Sequence, residues 1–214
     1  MVERIGDSKL LNTRKDVKET ITAAGDKEKV ESIFINEKLN KRTTSLDKNN
    51  DGTVDCVTTE HFYNGKASSK DVEHYDKKGR IVERQRDLEA NGKIDSFEKY
   101  EYNEENNTRH VEVRDGDGDL KVIRKDYYKD GKIIKTEIDS KTNDSFWDHG
   151  PDGKPEFYYE YTHNDAERST IVEKKNLNGE IETRHKTFKD ENGNIKAVEH
   201  DKNLDGIFEE RWQR

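Results

Sequence analysis

A chain of 214 residues that is 41% charged and only 28% hydrophobic has too little apolar surface to fold on composition alone, so pattern must decide whether it folds. Its 48 acidic and 40 basic residues are interleaved at every scale, leaving a net charge of −8 and no basic stripe, which excludes nucleic acid as the expected partner. Apolar runs of a few residues fall short of the roughly 20 that cross a bilayer as a helix, and the single Cys56 excludes an internal disulfide or a cysteine-built zinc cluster.

The N-terminal stretch MVERIGDSKL shows no apolar core of a signal peptide. Residues 1–45 read as an N-terminal segment of early strands starting near Glu19, with one alternative, a helix over 7–22 capped by Asp7. The run Ile35-Asn36-Glu37-Lys38-Leu39 lies 40 residues before Tyr75-Asp76-Lys77-Lys78-Gly79, so the phasing of the later chain extends back into this segment.

Residues 46–214 form the repeat domain. Turns centred on Gly, Asn or Asp fall at Gly52, Gly65, Gly79, Gly92, near Glu105, Gly118, Gly131, Gly153, near Asp165, Gly179, Gly193 and Gly206. All intervals are 12 to 14 residues except one of 22, which holds IDSKTNDSFWDHG and reads as an insertion or widened loop. The segments between turns, such as KIDSFEKYEY, DLKVIRKDYY and EFYYEYT, are rich in β-branched and aromatic residues with partial alternation. The predicted fold is all-β, a repetitive antiparallel meander with a period of about 13 residues, drawn out as an elongated single sheet or a β-spiral.

Two turn types are expected to alternate. The first reads Asp-x-Asn/Asp-x-Asp-Gly, complete at 47–55 and 201–209, with weaker copies starting at Asp87, Val113, Asp148 and Lys174. The second follows an aromatic residue, as at Tyr63, Tyr75, Tyr102, Tyr128 and Phe188, and those rings are expected to stack across strands as a ladder.

The complete first-type loops carry the one pattern with specific chemistry. Calcium takes six to eight hard oxygens, and alternate residues of such a loop can converge on one ion. Asp47, Asn49, Asp51 and Asp55 would supply side-chain oxygens and Thr53 a carbonyl; Asp201, Asn203, Asp205 and Glu209 would do likewise. The EF-hand form fails, because Thr58 and Trp212 stand where its bidentate Glu belongs. The plainer reading is that these acids build ordinary Asx-stabilised turns. The seven histidines have no zinc spacing and no nucleophile or phosphate motif appears, so no enzyme is expected. The aromatic cluster Phe157, Tyr158, Tyr159 and Tyr161, with Trp147 upstream, is a candidate face for a protein or glycan, the plainer reading being that these rings pack the sheet.

The aromatic-Asp-x-x-Gly-Arg-Ile run at Tyr75–Ile81 resembles the YD/Rhs-type repeats of bacterial cell-surface and toxin-delivery proteins, and the likeness covers most of 50–214. It implies β-hairpin repeats in sheet spirals or shells that carry no catalysis themselves. The chain departs from that pattern in lacking a regular Arg-Tyr pair and in its Asp-rich alternate turns. YYKDGKIIKTE and FYNGK also resemble the hairpin repeats of MORN-variant antitoxin-like proteins. The expected function is therefore a non-catalytic structural or binding module, exported or at a bacterial cell surface and calcium-stabilised. The alternatives are a cytoplasmic antitoxin-like immunity partner and a glycan-processing enzyme using paired carboxylates.

Overall fold

The computed structural model describes residues 12–140 and 151–213, and these form an all-β meander. Fifteen strands make one antiparallel sheet, each hydrogen-bonded to its neighbours in sequence, and the sheet does not close into a barrel. The first seven strands are β1 (Thr13–Ile21), β2 (Lys27–Ile35), β3 (Lys38–Asp47), β4 (Cys56–Tyr63), β5 (Lys66–Tyr75), β6 (Ile81–Asp87) and β7 (Ser96–Asn103). The remaining eight are β8 (Thr108–Asp115), β9 (Leu120–Lys129), β10 (Lys132–Asp139), β11 (Phe157–Asn164), β12 (Ser169–Asn176), β13 (Ile181–Lys189), β14 (Ile195–Asp201) and β15 (Glu210–Gln213). Among the described residues no helix is long and apolar enough to cross a membrane.

Chain contacts define two units, Met1–Glu98 and Lys99–Arg214, and β3 runs through the 45/46 boundary. The helical alternative for 7–22 does not hold where it can be seen: residues 13–21 are β1, in register with β2 from Thr13↔Ile35 to Ile21↔Lys27. The Lys- and Glu-rich sequence there suits either state, and pairing with the Val- and Ile-bearing β2 decides it. Strands thus begin six residues before the expected Glu19. Residues 7–11 and Trp147 lie outside the described residues.

Turn chemistry regroups the copies seen in sequence. Five-residue turns open at Asp76, Asp115, Asn176 and Asp190, and in each the first side chain's Oδ1 accepts the amides two and four residues on. The turns at Asp115 and Asn176, assigned in sequence to the first type, therefore share the geometry of the second-type turn at Asp76. Two-residue type I′ turns occur at Asn36-Glu37, Asn64-Gly65 and Asp130-Gly131, with positive φ at both residues. In all seven of these hairpins a bulge falls three residues past the last turn residue with positive φ, at Asn40, Ser68, Val82, Lys121, Ile134, Glu182 and Lys196. A repeated bulge sets register and adds twist at the same step each time.

Glu37 is the exception among the I′ turns, a glutamate at φ +63° where the other two have glycine. Glu37→Gly is expected to raise stability by about 0.5–1 kcal/mol, the left-handed strain relieved less the added freedom of the unfolded chain. Its ion pair with Arg14, at 2.9 Å, lies in solvent and contributes little. Thermal unfolding of the two proteins checks this; a lower melting temperature in the variant would mean that the pair outweighs the backbone.

Among the described residues of each unit the strands in contact are consecutive ones, so neither unit builds a second layer of its own from them. Only Tyr100, Val111 and Ala197 are buried apolar residues among those described, against eight buried polar ones. Cohesion comes from rows of register partners instead. In the first unit Arg84 binds Glu73 at 2.6 Å and Glu98, which Arg86 also reaches at 3.1 Å. In the second, Glu160, Glu173, Arg184 and Asp201 lie side by side across β11–β14, with Lys175 joining Glu160 and Glu173. Of the rings expected to stack, Tyr128 lies against Arg109 at 5.7 Å and Phe188 against Lys186 at 4.9 Å; elsewhere Arg14 stands over Phe34 at 4.3 Å, Lys174 over Phe157 at 4.4 Å and Lys135 over Tyr158 at 4.5 Å. With lysine and arginine so abundant, an aromatic ring's cross-strand neighbour is a cation more readily than another ring.

Candidate metal-binding turns

Four long turns share one plan, and each starts from a buried aspartate at the end of a strand. Asp47, Asp87, Asp139 and Asp201 are 7%, 3%, 4% and 3% exposed. In the 47–55 turn Asp51 N donates to Asp47 Oδ1 and Gly52 N to Oδ2, both at 3.0 Å. The 87–95 turn repeats this with Asn91 N at 3.0 Å and Gly92 N at 2.7 Å. In the turn after β10 the donors to Asp139 are Asp152 N at 3.2 Å and Gly153 N at 2.7 Å. A second acid closes each turn from the far side: Lys48 N donates to Asp55, Leu88 N to Asp95, Ser140 N to Glu156 and Lys202 N to Glu209. Glycine is required at the sixth position, where Gly52, Gly92 and Gly206 have φ of +92°, +86° and +93°.

This plan locates the irregular interval. The copy expected to begin at Asp148 begins at Asp139, and nine more residues than in the other turns separate its first aspartate from the Asp152-Gly153 pair that bonds to it. The strand-end pattern apolar-Asp-polar at Ile138-Asp139-Ser140 parallels Leu46-Asp47-Lys48 and was the available signal.

Among the described residues two groups of acids bring carboxylate oxygens within 4.8 Å of one another, Asp139 with Asp152 and Glu156, and Asp201 with Asp205 and Glu209. Each group is a candidate for holding a metal ion. The second group contains three of the residues chosen from sequence; the first was not foreseen. In the 47–55 turn Asp51 Oδ1 accepts Thr53 N at 2.9 Å, Asp55 accepts Lys48 N at 2.6 Å, and Asn49 N donates to Asp26.

The 201–209 turn departs from the plan at one bond. Asp205 N, which corresponds to Asp51 N and Asn91 N, donates instead to Asn203 Oδ1 at 3.1 Å. Asp201 Oδ2 accepts Gly206 N at 2.9 Å and Arg184 Nη1 at 3.1 Å, while Asp201 Oδ1 is buried with no hydrogen-bond partner. Arg184 is itself clamped by Glu173; that bond, opposed by partial burial and joined by Asp201, raises the guanidinium's pKa.

The remaining candidates are structural in their surroundings. Phe157, Tyr158, Tyr159 and Tyr161 are half-buried in β11, with Phe157 and Tyr159 edge-to-face at 5.6 Å. Glu137 lies in an open depression of about 300 Å³ with His110 and Asp139. Burial favours its neutral form, but hydrogen bonds from Lys135 and Tyr127 prevail and hold the carboxyl below its ordinary range. Burial and the Glu137 bond push Tyr127 up to about 12. No protein-family model matches the sequence, and no curated protein matches it.

Proposed function

We propose that the chain is a non-catalytic structural and binding module of YD/Rhs-like hairpin repeats, exported or displayed on a bacterial cell surface, with turns that calcium can reinforce. The observation that carries this reading is the use of the acids. Buried turn aspartates bind the chain's own amides, and strand acids bind register-partner cations, so the carboxylates serve architecture. The half-buried rings of β11 offer contact area to a protein or a glycan. Hard-oxygen turns suit calcium, which is millimolar outside cells.

Protease treatment of intact expressing cells, followed by fractionation, tests the assignment. Digestion of the chain on unbroken cells is expected. Recovery from the cytosol in a stoichiometric complex with one toxic protein would overturn it in favour of a neutralising partner.

A further inference from the structure

We infer that the β14–β15 turn, residues 201–209, is a site for one calcium-like divalent cation, and that the similar turn at 47–55 is not. This narrows the calcium part of the proposed function to one loop and leaves location and partner untouched, so either can fail alone.

One oxygen of the 201–209 turn is unmatched. In the turns at Asp47, Asp87 and Asp139 both oxygens of the first aspartate take a backbone amide. At Asp201 one of those amides has moved to Asn203, and Oδ1 stays behind in a side chain that is 0% exposed. A buried, charged oxygen without a donor is costly and calls for a positive partner. The chain's nearby cations are engaged elsewhere: Arg184 holds Oδ2 and Glu173, and the Lys202 ammonium binds Glu210. What gathers beside Asp201 is further negative charge, with oxygens of Asp205 and Glu209 within 4.8 Å.

Oxygens that all lie within 4.8 Å of one another can share one ion, since two ligands each about 2.4 Å from a calcium are at most about 4.8 Å apart. Asp201 Oδ1, Asp205 and Glu209 supply three carboxylate ligands, and the Asn203 side-chain oxygen and water complete the shell. An all-oxygen set in a turn of adaptable geometry favours calcium over zinc, which prefers nitrogen and sulfur. In the 47–55 turn the corresponding Asp47 oxygen already accepts Asp51 N at 3.0 Å and so leaves no unmatched charge, and its acids are not among those whose oxygens gather within 4.8 Å.

Calcium is titrated into the full chain by calorimetry, with terbium emission under tryptophan excitation as a second readout, because Trp212 stands three residues beyond Glu209. One equivalent of calcium and sensitised emission are expected. Asp205→Asn keeps the oxygen that accepts Ile207 N at 2.8 Å, and so keeps the turn, while weakening binding by roughly tenfold or more. Asp51→Asn is expected to titrate like the native chain. Circular dichroism confirms that both variants fold. Native protein that binds no calcium at millimolar concentration overturns the inference, as does undiminished binding by Asp205→Asn or loss of binding in Asp51→Asn. A cytosolic chain that still binds one calcium through Asp205 refutes the proposed location and upholds the site; a surface chain indifferent to calcium does the reverse.

Discussion

Replacing Asp126 with alanine is expected to lower the unfolding free energy by about 3–5 kcal/mol, a large share of the roughly 5–15 kcal/mol that holds a domain together. Asp126 is 1% exposed and lies in register between Arg109 on β8 and Thr136 on β10. Arg109 donates to Oδ2 through Nε at 2.9 Å and Nη2 at 2.7 Å, Thr136 Oγ1 donates to Oδ1 at 2.8 Å, and Arg124 Nε approaches to 3.3 Å. Removing the carboxylate leaves two guanidinium groups facing each other over a half-buried row, with Tyr100 and Tyr128 covering Arg109 at 5.6 and 5.7 Å. Thr136→Val, which removes one neutral donor, is expected to cost about 1 kcal/mol. Urea unfolding of the three proteins gives the comparison. A loss below that of Thr136→Val would mean that water reaches the row and that the ion pairs there are surface pairs.

Asp87→Ala is expected to rank second, at about 2–4 kcal/mol, because two turn amides lose their buried acceptor at once. Asn91 N and Gly92 N both point at this one carboxylate, and Leu88 beside it is 61% exposed. Asp95→Ala, which frees only Leu88 N in the exposed part of the same turn, should cost less. Hydrogen exchange localises the effect, with faster exchange at Asn91 and Gly92 in the Asp87 variant. If those two amides exchange as slowly as before, backbone geometry alone sets the turn, and the buried aspartates are not its organising element.

The spacing of glycines made the meander legible because each turn needs a positive φ at a fixed distance from the last, and that demand survives any change in the strands. What sequence could not show was which acids become buried. Asp47 and Asp51 are the same residue type four positions apart, yet one is 7% exposed at a strand end and the other stands in solvent. Burial there depends on where the preceding strand stops, which is set by pairing with the neighbour. The insertion after Ser140 hid the third long turn by separating its first aspartate from its glycine by 14 residues instead of five. The bulges at Ser68, Ile134 and their counterparts left no mark on composition, since a bulge is a backbone event that valine, serine and lysine tolerate alike. Within the candidate site Asp205 and Glu209 were readable from the Asp-x-Asn-x-Asp-Gly pattern, whereas the lone oxygen of Asp201 depends on a single amide turning toward Asn203.

The sequential strand order also bears on how such a chain arises and folds. Each strand's partners are the segments next to it along the chain, so pairing closes local loops, the longest between Asp139 and Phe157, and the sheet can zip up from any hairpin without waiting for distant ends to meet. The same locality makes the gene forgiving. Duplicating or deleting one hairpin of about 26 residues disturbs only the pairings at the joint, leaving the rest of the ladder with the neighbours it had. A family built this way can change length by recombination faster than it changes its turns, and its members would share the rhythm of their glycines long after the residues between them have diverged.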